Sequence, residues 1–119
     1  MPKNRAPIAP NLRLQLKHGI AIGPGKAALL EAIAEVGSIS AAGRSLGMSY
    51  KRAWLLVDSM NADFRAPLVE VARGGNLRGG AALTVLGAEV LKRYRRMERK
   101  ALKAISGEIE GFEALLKRR

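Results

Sequence analysis

The sequence predicts a mainly α-helical fold with one small β appendage and a long C-terminal helix. Three observations carry this. Two stretches, 38–46 and 49–64, each open near a serine and run on helical spacing, with only a Leu-Gly-Met corner between them. A Gly- and Arg-rich segment, "RGGNLRGG", follows them directly and is flanked by short β-prone runs. From Thr84 onward, apolar residues recur at steps of three and four.

The chain has 119 residues, the size of one domain. Apolar residues make up 48% and aromatics only 4%, so the core must be built from Leu, Ile, Val and Ala. There is no cysteine, which excludes disulfides, thiolate catalysis and Cys-based zinc sites. The single histidine, His18, lies in a turn signal and supports neither a Ser-His-Asp triad nor a His-rich metal site. Glu108, Glu110 and Glu113 spread around a helix and do not converge. An enzyme is therefore not expected, and neither is a cofactor. No apolar run approaches the roughly 18 residues of a membrane span. The basic N-terminus lacks the apolar stretch of a secretory signal, so a cytoplasmic protein is expected.

The net charge is +11 and points to a polyanionic partner, nucleic acid before an anionic membrane. Residues 1–23 carry Lys3, Arg5, Arg13 and Lys17 with no acid. The middle of the chain is balanced in total but not in position. Lys51 and Arg52 stand near the start of one helical stretch, Asp58 and Asp63 toward its end.

Each element has a local reason. Residues 1–11 contain Pro2, Pro7 and Pro10 and read as a flexible basic arm. Leu12 to Ile22 alternates apolar and polar around His18-Gly19, which predicts a short strand or hairpin. In the next stretch Leu29, Leu30, Ile33, Ala34 and Val36 share helical spacing, and Gly37 is placed as a stop, giving a helix over 25–36. Ser38 or Ser40 caps the next helix, with Ala41, Ala42 and Leu46 inward. Ser49 caps the one after, with Ala53, Trp54, Val57 and Met60 at helical spacing. Gly47 lets the backbone turn between them. Two helices joined this tightly form a helix-turn-helix.

Residues 68–71 and "AALT" at 81–84 read as two strands around the glycine-rich tip, the layout of a wing. The last helix carries Leu86, Val90, Tyr94, Met97, Ala101, Ile105, Ile109, Phe112 and Leu116 on one stripe. It is expected to run about twenty residues, with Ser106-Gly107 kinking or ending it before a second short helix. A protruding apolar stripe usually meets a partner chain.

A helix that enters a major groove needs polar, reaching residues at its N-terminal end and apolar ones behind. "SYKRAW" has that order: Ser49 caps, Tyr50, Lys51 and Arg52 reach outward, and Ala53 and Trp54 turn inward. A lone Trp on an apolar face is core more often than a base-stacking group, so Trp54 is assigned to the core. In the wing, Arg73, Asn76 and Arg78 lie among four glycines, suiting a phosphate or a minor groove. A nucleotide-phosphate loop would need a Lys-Ser/Thr ending that is missing here.

Together "GSISAAGRSLGMSYKRAW", "MNADF" and "LVEVARGG…GGAALTVLG" resemble the DNA-binding domain of the molybdate-dependent transcriptional regulators, the ModE family, over roughly residues 12–105. The family run of Gly-Ser-Ile-Ser, an Ala-containing helix and Ser-Tyr-Lys-x-Ala-Trp falls here on Gly37–Ser40 and Ser49–Trp54. Its Gly-rich hairpin closing in Leu-Thr matches Gly74–Thr84. LysR-type regulators share a similar helix-turn-helix but do not usually carry Tyr-Lys-x-Ala-Trp.

The resemblance implies a winged helix-turn-helix that binds double-stranded DNA as a homodimer, with the dimer contacts made by its N-terminal and last helices. Leu86, Val90, Tyr94 and Met97 are the expected dimer or body contacts. Residues 106–119 form a helical tail. The family's C-terminal molybdate module has no counterpart before Arg119, so molybdate would enter only through a separate module or partner. The expectation is thus a sequence-specific regulator. The rival is a non-specific, architectural DNA-binding or protein-interaction module.

Overall fold

The computed structural model describes residues 11–72 and 80–118. The chain begins with a hairpin of β1 (Leu14–Gln15) and β2 (Ala21–Ile22), antiparallel, with Leu14 opposite Ile22. A single 3-10 turn, Lys17–Gly19, joins them, with His18 and Gly19 both at positive φ. Then come α1 (Pro24–Val36), α2 (Ile39–Ser45) and α3 (Tyr50–Asp63). A second antiparallel pair follows, β3 (Val69–Val71) and β4 (Ala81–Leu83), with Val69 opposite Leu83. The chain closes with α4 (Val85–Glu113). This is the winged helix-turn-helix arrangement. None of its helices, among the described residues, is long and apolar enough to cross a membrane.

The main core lies where α1, α2 and α3 meet the wing. Leu29, Leu30, Ile33, Ile39, Ala42, Ala53, Val57, Met60 and Leu68 are all buried there. It is aliphatic, as the composition requires. A smaller cluster of Ile22, Ala27 and Tyr94 ties the hairpin and α1 to α4. The Tyr94 hydroxyl donates to the Leu12 carbonyl, so the only ring in that cluster has its polar end satisfied. Burial foremost, and the nearby charge of Glu98, hold its phenol above the ordinary tyrosine range. Arg95 sits beside it and bridges Glu31 on α1 with Glu98 on α4. Burial works against that charge. The hydrogen bonds that Arg95 donates to Glu98 and Glu31, with the attraction of their charges, more than offset it and raise the Arg95 pKa.

Three expectations need correction. The last helix does not end near residue 105. It runs unbroken through Ser106-Gly107 for 29 residues, and Ser106 spends its hydroxyl on the Lys103 carbonyl. No proline interrupts the ladder there, and one glycine costs a long helix only about 1 kcal/mol. Leu46 is exposed, because the chain has already left α2 at Ser45; Met48 packs on the core in its place. On α1 the inward face is Ala27, Leu29, Leu30, Ala32 and Ile33, while Ala34 and Val36 face solvent. Of the expected dimer or body contacts, Tyr94 packs on the body, 1% exposed within its own chain.

Gly87, in the first turn of α4, is where helix and wing base touch. A Cβ built there would collide with the Leu68 carbonyl oxygen and crowd the backbone behind it. Gly111, on the same helix, has nothing within 4 Å. Gly87→Ala should therefore lower the unfolding midpoint in denaturant. Gly111→Ala should leave it unchanged or raise stability by up to about 1 kcal/mol through helix propensity. Equal, small effects of the two would contradict the close approach.

Candidate nucleic-acid interface

The corner between α2 and α3 is made by local backbone chemistry. Ser38 accepts from the Ala41 amide at 3.1 Å and starts α2. Ser49 accepts from the Arg52 amide at 3.1 Å and starts α3. Each cap satisfies one amide left over by its helix's first turn and contributes about 1 kcal/mol. Between the caps the chain turns in a few residues. The amides of Leu46 and Met48 both bond to the Gly43 carbonyl, and that of Gly47, at φ 72°, bonds to Arg44. Where the helices cross, a Cβ on Gly43 would stand 2.9 Å from that of Ala53. The crossing is thus closer than any larger residue would permit.

These constraints bring Ser49, Tyr50, Lys51 and Arg52 together at the exposed start of α3. Tyr50 is 65% exposed. Its ring leans on Trp54, centroids 6.2 Å apart and planes tilted by 59°. Trp54 packs against the edge of the core cluster, half-buried as a whole. Its indole nitrogen is enclosed and meets no acceptor among the described residues. Lys51 and Arg52 make no ion pair among the described residues, so their charge is open to solvent. Asp58 is exposed further along α3, and Asp63 accepts from Ser59 at 3.4 Å. The positive front and acidic rear of this helix are present in the structure.

Arg73, Asn76 and Arg78, the expected wing residues, lie outside the described residues. What is described is how the wing is mounted. The Asn61 carboxamide accepts from the amides of Leu68 (2.8 Å) and Val69 (3.1 Å) and donates to the Val69 carbonyl (3.2 Å). Thr84 donates its hydroxyl to the Pro67 carbonyl at 2.8 Å and accepts from the Gly87 amide at 2.9 Å. One residue so caps α4 and closes the wing. Neither residue stands out in sequence. A polar amide three residues from a helix end usually marks solvent, and only the fold brings β3 beside it.

Leu86 and Val90 pack on the main core and Tyr94 within the smaller cluster, all in their own chain. Met97 is exposed, and the stripe continues outward through Ile105, Phe112, Leu115 and Leu116, also exposed. Among the described residues no group of three or more His, Cys, Asp or Glu could hold a metal.

Comparison with known proteins agrees with this geometry. The model for bacterial regulatory helix-turn-helix proteins of the lysR family matches residues 26–88. The molybdenum-pterin-binding protein MopA of Rhodobacter capsulatus is 39% identical over 108 residues, covering 91% of this chain and 40% of that protein. MopB of the same organism is 44% identical over 88 residues, covering 74% and 33%. The DNA-binding transcriptional dual regulator ModE of Escherichia coli K12 is 36% identical over 100 residues, covering 82% and 38%. The chain thus spans about two fifths or less of the length of these relatives. Among solved structures, the DNA-binding domain of CbnR in complex with DNA superposes with a TM-score of 0.55 at 27% identity, covering 76% of this chain and 95% of that one. CbnR, a LysR family transcriptional regulator, gives 0.53 at 26% identity, covering 72% and 27%.

The Asn61 clamp is testable by itself. Asn61→Ala strips the partners from two amides and a carbonyl at the wing base. Losing partners for enclosed backbone groups costs about 1–3 kcal/mol. Urea unfolding should show a loss in that range, and amide exchange at Leu68 and Val69 should speed up more than in the middle of α1. Unchanged exchange there would remove the clamp from the account. The chain belongs to the bacterial regulatory helix-turn-helix proteins of the lysR family, and its helix-turn-helix domain is of the ModE type.

Proposed function

We propose that this chain binds double-stranded DNA in a sequence-specific way, as the DNA-binding part of a ModE-type transcriptional regulator. One observation carries the reading. A capped helix start, held rigidly by a tight corner, presents Tyr50, Lys51 and Arg52 to solvent with no competing ion pair among the described residues. Such a helix start favours anions, and its side chains have the reach for base edges. The DNA in the CbnR complex supports the same reading for a related fold.

In this reading Lys51 and Arg52 contact base edges in the major groove, while Ser49 and Tyr50 settle the helix start against a phosphate. Arg73, Asn76 and Arg78 act on the flanking backbone or minor groove. The chain works as a homodimer, its exposed stripe from Met97 to Leu116 covered by a second copy. A two-fold dimer implies a palindromic site. Catalysis forms no part of this reading, nor does a membrane.

The test is selection of bound DNA from a random pool, with sedimentation to give the mass of the free protein. A palindromic consensus and a dimer mass are expected. Lys51→Ala or Arg52→Ala should weaken the selected site by about 1–3 kcal/mol and relax preference at one base position. Arg73→Ala should weaken all sequences alike and flatten the salt dependence by about one ion. Equal binding to every sequence, unaffected by the α3 substitutions, would instead favour the non-specific, architectural reading. The exposed bases of α4, such as Arg96, Arg99 and Lys100, would then carry the contact.

A further inference from the structure

Leu55 is out of place for a solvated helix. It is 57% exposed in the middle of α3, where the other exposed side chains nearby are Lys51, Arg52 and Asp58. At 3.6 residues per turn it falls about 40° round the axis from Lys51 and about 60° from Arg52, between the two. The buried face of α3 is Ala53, Val57 and Met60. Leu55 therefore lies about 180° from the core, at the crest of the helix. When a helix lies in a major groove, the crest goes deepest, to the floor where base edges are displayed. The one apolar group on that floor is the C5-methyl of thymine.

We propose that Leu55 is a specificity residue that packs its side chain against a thymine methyl group in each half-site. The proposal rests on α3 being the helix that enters the groove. Lys51 and Arg52 on either side supply charge and hydrogen bonds, and Leu55 adds an apolar test between them. A guanine, cytosine or adenine at that position offers no methyl. Asp58, one turn further on the same face, repels phosphates but accepts from base amino groups, so it too fits the groove floor better than the backbone. A protein partner fits this face less well, since among the described residues the leucine is flanked by two bases that make no ion pair, and the crest of α3 carries no other apolar side chain except Ala62.

Deoxyuridine differs from thymidine only by that methyl, which makes the test specific. Each thymine of the selected DNA is replaced in turn by deoxyuridine, and affinity is measured for the wild type, Leu55→Ala and Leu55→Met. Removing one buried methyl is worth about fourfold in affinity. The wild type should lose about that much at one thymine per half-site. Leu55→Ala should bind the two DNAs equally at that position, and Leu55→Met should keep the discrimination. Because Leu55 is exposed, its far-UV spectrum and unfolding midpoint should match the wild type after substitution. A wild type indifferent to every thymine methyl, or Leu55→Ala keeping the same preference, would overturn the proposal. If Lys51→Ala and Arg52→Ala still weaken the selected site in that case, only the role of Leu55 falls. If they too have no effect, or no sequence is selected at all, the placement of α3 falls with it.

Discussion

Residues 67–69 are clasped from two sides, and the wing, α3 and α4 take their positions from that clasp. From α3, Asn61 holds both amides and one carbonyl of Leu68 and Val69. From the start of α4, Thr84 holds the Pro67 carbonyl with its hydroxyl and the Leu68 carbonyl with its amide. Gly87 lets the α4 backbone come down onto Leu68, whose own side chain is fully buried among α1, α2 and α3 residues. Backbone polar groups this enclosed must find partners inside the protein. Here they find them on the two helices that flank the wing, so neither helix can shift without breaking them.

The start of α3 depends on the same economy of space. The α2–α3 corner closes on three amide-to-carbonyl bonds to Gly43 and Arg44, and the helices cross with hardly room for a methyl group. Ser49 is then fixed as the point where α3 begins. That in turn fixes which side chains sit on its first turn. Behind it Ala53, Val57 and Met60 of α3 are buried in an aliphatic core. A site meant to read bases gains from such rigidity, because side chains placed in advance lose less freedom on binding. The far half of α4 has the opposite character. Beyond residue 102 almost all of it is exposed, an apolar stripe whose side chains join neither core cluster among the described residues.

Much of this was legible in the sequence, where a single residue type meets a single backbone need. The two serine caps, the Gly47 corner, the alternating hairpin and the wing after α3 are all of that kind. Their signals are local, and the structure keeps them. The misses share a different cause. Leu46 and Met48 are two residues apart, and which one turns inward depends on where α2 ends, a choice made by the corner. Ser106-Gly107 looked like a stop because local propensity favours one, but the helix continues with little to oppose it. Asn61, Gly87 and Arg95 act on partners in other elements, Leu68 and Val69 of the wing base and Glu31 of α1, so helical periodicity does not reveal them. Leu55 was hidden by its chemistry: a leucine on a helix reads as core until the other face is known to be full.

The central claim is that α3 enters the major groove by its N-terminal end. Methylation interference on the selected DNA tests it most directly, since it separates the two grooves. Methyl groups on guanine N7 stand in the major groove and those on adenine N3 in the minor groove. The account predicts that N7 methylation within each half-site blocks binding, while N3 methylation interferes only at the flanks beneath the wing. Binding that ignores N7 methylation and is blocked solely by N3 methylation would contradict it.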